Sequence, residues 1–335
     1  MQALAAVAEK TAMTRPRHIV PGRVCFVTAR AVKRRIEFVP RREVVQIFGY
    51  LFALMADRFG MQVHEALCMS NHFHVLMTDV EGRLPEFMHD LDMLLARSLN
   101  ALRGSSGSVF EKDYGLVIET DEAKLLEHAV YTLANPCAAD LVRRSRQWPG
   151  FSTLRMEYGA TVEFQRPRVG LWRRAEAKVQ RKRKRPRQPG RAQHRGKPSR
   201  LPEKVGFTLV RPNALTELSD VELRSEVRSQ LDARELALIE DRAKRGVEVV
   251  GRKEVLAQPW YGFPLSPEDL FGLVPRVAGR NKWARIQALQ RCKEFERAHA
   301  RARATFLAGT RDVVWPFGTW LMRVRYGLPC ELAPP

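Results

Sequence analysis

The run Met69-Ser70-Asn71-His72-Phe73-His74-Val75-Leu76-Met77 carries two histidines one residue apart. Side chains alternate faces along a β-strand, so His72, His74 and Leu76 would share one face. Phe73, Val75 and Met77 would share the other. Two imidazoles side by side are a ready pair of metal ligands. The same pattern equally suits two surface histidines on a half-exposed strand. A second run, Tyr131-Thr132-Leu133-Ala134-Asn135-Pro136, puts Tyr131 and Asn135 one helical turn apart, bordered by Glu127 and His128. A phenol and an amide at this spacing offer a nucleophile and a third metal ligand. They also suit a core tyrosine and a helix-ending asparagine before proline. His128 is either a base for the phenol or a solvent-facing helix histidine. Tyr114, after Glu111-Lys112-Asp113, is the rival nucleophile or a packing residue.

These residues need a scaffold. Arg23 to Arg30 reads as a strand after Pro21-Gly22. Arg42 to Arg58 has helical apolar spacing and is stopped by Gly60. Val63 to Thr78 reads as one or two strands, and Leu84 to Arg103 as a helix stopped by Gly104. Ser108 to Phe110 opens a short strand. A helix from Asp121 to Asn135 follows, with Thr120 as its N-cap and Pro136 as its end. The order predicts an α+β fold, an antiparallel sheet with helices packed on it.

Beyond residue 200 the reading is mostly helical. Ser219 and Glu222 form a capping box that opens a helix running to about Lys244, stopped by Gly246. Ser266-Pro267-Glu268-Asp269 opens another, and Arg280 to Leu307 a long basic one. The long helix, through Arg291, Lys293, Arg297, Arg301 and Arg303, either lies along DNA or belongs to a bundle that buttresses the first half.

The chain has 335 residues and a formal net charge of +20. Its length suggests two domains. Hydrophobic residues make up 45%, enough for a core, so disorder throughout is excluded. No long apolar run reads as a membrane span, and Met1 to Thr14 does not read as a secretory signal. The five cysteines are scattered, which argues against a disulfide framework and a cysteine zinc site. A cytoplasmic, nucleoid-associated protein is expected. Residues 166–200 hold fifteen Lys or Arg against one acid, so this window carries most of the net charge. We read it as a disordered basic linker between residues 1–165 and an accessory region at 201–335. Arg181, Lys182, Arg183, Lys184 and Arg185 would track phosphates there. Arg97, Arg103 and Lys112 would do the same, with Phe110 or Tyr114 stacking on a base.

Taken together, MSNHFHVLM, ARSLNALRG, GSVFEKDYG, AVYTLANPCAADLV and WPGFSTLR resemble the REP-associated tyrosine transposases, relatives of the single-tyrosine HUH transposases of insertion sequences. The resemblance runs from about Pro16 to Arg155. It implies a ferredoxin-like sheet with His72 and His74 on a central strand. It implies Tyr131 as catalytic nucleophile, Asn135 as a metal ligand with the two histidines, and magnesium or manganese as cofactor. Mixed nitrogen and oxygen donors suit manganese better than magnesium. The implied reaction is nicking and rejoining of single-stranded or hairpin DNA through a 5′-phosphotyrosine, by a monomer or homodimer. Ser70 stands where the family has proline, which loosens the turn before His72. The alternative is a non-catalytic DNA- or RNA-binding protein on the same fold.

Overall fold

A computed structural model describes residues 15–169, 201–215, 217–264 and 275–333. In chain order come β1 (Arg23–Arg30), α1 (Arg42–Arg58), β2 (Met61–Cys68), β3 (His72–Asp79), α2 (Leu84–Arg103) and β4 (Gly115–Glu119). The strands lie in the order β2-β3-β1-β4, every neighbouring pair antiparallel. This βαββαβ chain order is the ferredoxin-like arrangement, and the fold is α+β as expected. The strand expected at Ser108–Phe110 is only a bridge, Ala31 to Phe110. The fourth strand comes later, where Leu116, Val117 and Ile118 supply β-forming side chains.

The sheet has two different faces. On one, Val27, Phe73, Val75 and Met77 pack against Phe48, Leu51, Phe52 and Met55 of α1 and Phe87, Leu91 and Leu95 of α2. Each such side chain contributes roughly 1.5–3 kcal/mol on burial. On the other, Phe26, Leu76 and Val117 pack against Leu125 and Ala129 of α3 (Glu122–Ala138). Two details of α3 differ from expectation. Its N-cap is Asp121, whose carboxylate accepts from the Lys124 amide, while Thr120 donates to the Ala278 carbonyl. The helix also runs through Pro136. Proline in mid-helix costs about 3 kcal/mol or more. Here only the final turn follows it, and the Pro136 carbonyl accepts from the Leu141 and Val142 amides.

Residues on both sides of the basic window share one core. β5 (Thr161–Gln165) pairs with β6 (Lys204–Thr208), and the Arg166 amide continues that ladder to the Glu203 carbonyl. Phe207 joins the core beneath α1, as do Leu223, Val227 and Leu231 of α4 (Asp220–Arg245). The expected capping box at Ser219 and Glu222 is present. A short helix, α5 (Arg252–Ala257), follows. β7 (Val277–Ala278) adds to β4 in parallel, so the region expected to be helical also supplies strands. Two residues in a row are too few for a strand pattern to be read. α6 (Lys282–Leu307) matches the expected long helix, with Asn281 as N-cap. The helix expected from Ser266 lies outside the described residues.

Buried ion pairs tie these layers. Glu65 on β2 accepts from Arg224 of α4, Thr153 and Tyr158, all enclosed. Glu235 of α4 accepts from Arg144 and from the Ser145 amide. Arg242 and Arg245 grip Asp140 just past α3. None of the five cysteines is in a disulfide. Among the described residues no helix is long and apolar enough to cross a membrane.

His64 sits at a bulge of β2, fully buried. Its Nδ1 donates to the Val210 carbonyl at 2.7 Å, and its Nε2 accepts from Thr78 Oγ at 2.8 Å. Burial lowers its pKa to about 4. The unfolded chain, with histidine near 6.5, therefore binds a proton that the folded chain refuses. Stability is full above about pH 6.5 and is lost as pH falls toward 4, by roughly 3 kcal/mol from this group. Urea midpoints from pH 7 to 4 should fall steeply for the parent chain and less so for His64→Gln. Parallel acid limbs would exclude the assignment.

Candidate active site

His72 and His74 project from β3 between β2 and β1, toward α3. The turn before them is held, not loose. The Ser70 carbonyl accepts from the Phe38 amide and the Asn71 carbonyl from the Ala31 amide, both at 2.8 Å. The expected alternation is present, with Leu76 on the α3 face and Phe73, Val75 and Met77 in the opposite core. Both histidines are buried, at 7% and 5% exposure, which excludes the surface-histidine reading. Their rings lie 4.6 Å apart between centroids.

Each imidazole is oriented through Nδ1. In His72 this atom meets Asn71 Oδ1 at 2.6 Å, and in His74 it meets Thr28 Oγ1 at 2.9 Å. Nε2 of each ring is left without a partner among the described residues. Metal-binding histidines use their second nitrogen in this way, because it fixes tautomer and ring direction. Burial, reinforced by Arg30 and Arg34, lowers the pKa of His72 to about 3. Burial, then the charges of His72, Arg30 and His128, holds that of His74 well below its ordinary value. Both rings are neutral near pH 7, as a ligand must be.

Tyr131 completes the cluster. Its ring meets His74 edge-on at 5.6 Å and Phe26 at 6.0 Å, and it stays 45% exposed. Phe26 is a shared platform, stacked on His74 at 5.2 Å and on His128 at 4.6 Å. His128 is not solvent-facing. Its Nδ1 donates to Glu119 Oε1 at 2.6 Å, and the Glu119 side chain is almost fully enclosed. The ring lies 6.4 Å from Tyr131 and keeps Nε2 as its second nitrogen. Asn135 is buried one turn after Tyr131, and its side chain has no hydrogen-bond partner among the described residues. Two neutral imidazole nitrogens, and an amide one helical turn after Tyr131, fit a manganese or magnesium ion in donor chemistry. Among the described residues, no three His, Cys, Asp or Glu side chains group as a metal site.

Tyr114 stands apart from this cluster. The Arg17 guanidinium covers its ring at 3.6 Å, its hydroxyl is enclosed without a partner among the described residues, and burial pushes its pKa up to about 12. Such a phenol is unsuited to attack. Phe110 is buried against Phe38 and Phe73, so it offers no base platform. Arg103 is committed to Glu37 and lies over Trp260. Arg181, Lys182, Arg183, Lys184 and Arg185 lie outside the described residues.

Sequence reasoning missed Thr28, Arg30, Asn71 and Glu119. Alternation along Arg23–Arg30 places Phe26, Thr28 and Arg30 on one face, but only the register sets Thr28 across from His74 and Arg30 across from His72. Arg30 brings positive charge beside the histidines, and its Nε is enclosed without a partner among the described residues.

No family model matches the sequence, and no curated protein matches it. Among solved structures the chain is similar to a REP-associated tyrosine transposase bound to a REP hairpin. The TM-score is 0.37 and the identity 15%, over 42% of this chain and 82% of that one. It is also similar to a protein of Deinococcus radiodurans R1 provisionally named a transposase. There the TM-score is 0.25 and the identity 16%, over 31% of this chain and 85% of that one.

Proposed function

We propose that this protein nicks and rejoins single-stranded DNA at hairpin-forming repeats, with Tyr131 as nucleophile. In this reading His72, His74 and Asn135 bind magnesium or manganese. The observation that carries it is the meeting of the His72, His74 and Tyr131 rings on one face, with both Nδ1 atoms occupied and both Nε2 atoms left over.

The phenolic oxygen forms a bond to phosphorus as the bond from phosphorus to the 3′ oxygen breaks. The products are a 5′-phosphotyrosine and a free 3′ oxygen, which takes up a proton to become a hydroxyl. The energy of the broken ester is kept in the new one, so rejoining needs no ATP. A phenol titrates near 10, so its proton must leave as attack proceeds. His128, oriented by Glu119, accepts it through Nε2. Arg30 adds positive charge on the same face, where the phosphate charge grows. A bound divalent ion supplies Lewis-acid stabilisation of a nonbridging phosphate oxygen.

Chelator-treated protein, incubated with a labelled hairpin oligonucleotide and manganese, should yield an adduct that survives denaturation. His72→Ala and His74→Ala should each lose it. Asn135→Ala should be milder, through weaker metal affinity. The two histidines are buried, so folding of each variant is checked by thermal melting. Equal adduct from the parent chain and a folded His74→Ala would sink the metal assignment. A mobility shift with no adduct under any condition would favour the binding-protein reading. That reading draws on the exposed Arg291, Lys293, Arg297 and Arg301 of α6.

A further inference from the structure

Two adjoining cavities of about 550 and 220 Å³ open between the segment after α3 and the start of α5. They share Arg146, Gln147, Arg155 and Arg252, and Arg143 adds to the larger. Among the described residues no carboxylate lines either one. Among the described residues none of these four arginines has an acidic partner. Arg155 alone is bonded, to the Arg146 carbonyl. Glu254 turns back against Gly251 at the base of α5 and stays out of the lining. Four guanidinium groups kept together without acids repel one another, a cost that an anionic ligand removes.

A second observation points the same way. Ser145 lines the smaller cavity, is 4% exposed, and its hydroxyl has no partner. An enclosed hydroxyl without a partner is destabilising, and rotation of this side chain toward the cleft would let a phosphate oxygen accept from it.

The cleft is rigidly set beside the active site. Trp148 donates through Nε1 to the Cys68 carbonyl at 3.0 Å, and the Cys68 amide donates to the Phe151 carbonyl. Cys68 is the last residue of β2 and pairs with Phe73, between the two histidines. At about 4.8 Å per strand, the cleft-forming segment lies roughly 10 Å from the histidine end of β3. On its other flank the Val250 and Gly251 amides donate to Asp140 and Leu141, just past the helix that bears Tyr131. Glu235 fixes Ser145 and Arg144 from α4.

We propose that Arg143, Arg146, Arg155 and Arg252 bind the phosphodiester backbone of single-stranded DNA next to the bond that Tyr131 attacks. This rests on the function proposed above. Recesses of this size take individual phosphates and their sugars, and a duplex stem is too broad to enter them. Guanidinium forks match phosphate oxygens two at a time, which favours arginine over lysine at such a site.

The test uses the full chain carrying Tyr131→Phe, so that binding is read without chemistry. A fluorescent mixed-sequence single strand and a blunt hairpin are titrated at several salt concentrations. Arg146→Gln with Arg252→Gln should reduce the slope of log affinity against log salt by about 1.4 on the single strand, two contacts at about 0.7 each. Arg146→Lys with Arg252→Lys should keep the slope. A control pair outside both basic surfaces, Lys204→Gln on β6 with Arg228→Gln on α4, whose side chains face Glu163 and Glu157, should leave the slope unchanged. An unchanged slope overturns the proposal. So does an equal drop from the control pair, or a drop seen only with the blunt hairpin. The adduct assay on the parent chain judges the chemistry separately, so failure of the cleft and failure of the nucleophile are told apart.

Discussion

Tyr131→Phe is expected to bind DNA as the parent chain does and to form no covalent adduct. Phenylalanine keeps the edge contacts with His74 and Phe26, because these belong to the ring. The only atom removed is the oxygen that must reach phosphorus. The site is 45% exposed, so the substitution buries nothing new and opens no core cavity. Gel analysis after denaturation reads the adduct, and a mobility shift reads binding. The paired variant is Tyr114→Phe. Its hydroxyl is enclosed with no partner, so removing it should leave the adduct intact and be neutral or slightly stabilising. Adduct from Tyr131→Phe together with none from Tyr114→Phe would reverse the assignment.

The second large effect is on stability. Arg224→Met should cost about 3–5 kcal/mol near pH 7, because it leaves a buried carboxylate without its cation. Glu65 and Arg224 are enclosed at 0% and 1% side-chain exposure. Arg224 also donates to the Thr153 carbonyl, so the loss spreads to the segment that precedes β5. Set against total stabilities of roughly 5–15 kcal/mol, this is a large share. Burial already pushes the Glu65 carboxyl up, opposed chiefly by Arg224. Without Arg224 it rises further, so the folded variant holds a proton that the unfolded chain releases above about pH 4.3. The deficit should therefore be smallest in acid and grow toward neutrality. Combining Arg224→Met with Glu65→Leu should recover much of the loss, since an apolar pair leaves no charge to desolvate. Urea unfolding of the parent, single and double variants checks this. A single variant as stable as the parent at pH 7 would show that the pair contributes nothing.

Elements whose signals are local could be read without the fold. The apolar periodicity of Arg42–Arg58 and Leu84–Arg103 has only one way to bury its stripe, and Gly104, at φ 70°, ends the second helix in a left-handed cap. The capping box at Ser219 marked its helix for the same reason. Alternation placed both histidines on one face of β3, and the helical repeat placed Tyr131 and Asn135 on one face of α3. Nothing local could show that the two faces meet. That depends on β1 lying between β3 and β4, so that Phe26 presents one ring to His74 and to His128. The Thr28 and Glu119 contacts depend on register and on sheet order, which join residues far apart in sequence. Pro136 reads as a stop because its nitrogen carries no hydrogen to donate to the helical ladder; only its place in the last turn made it tolerable. The arginine cleft is the extreme case. Arg143, Arg146, Arg155 and Arg252 are unremarkable in a chain of net charge +20. They share one cleft because Glu235 and the edge of β2 fix the segment around Ser145 and Trp148, while the Val250 and Gly251 amides bind the Arg252 segment to Asp140 and Leu141, and charge acts through distance in space.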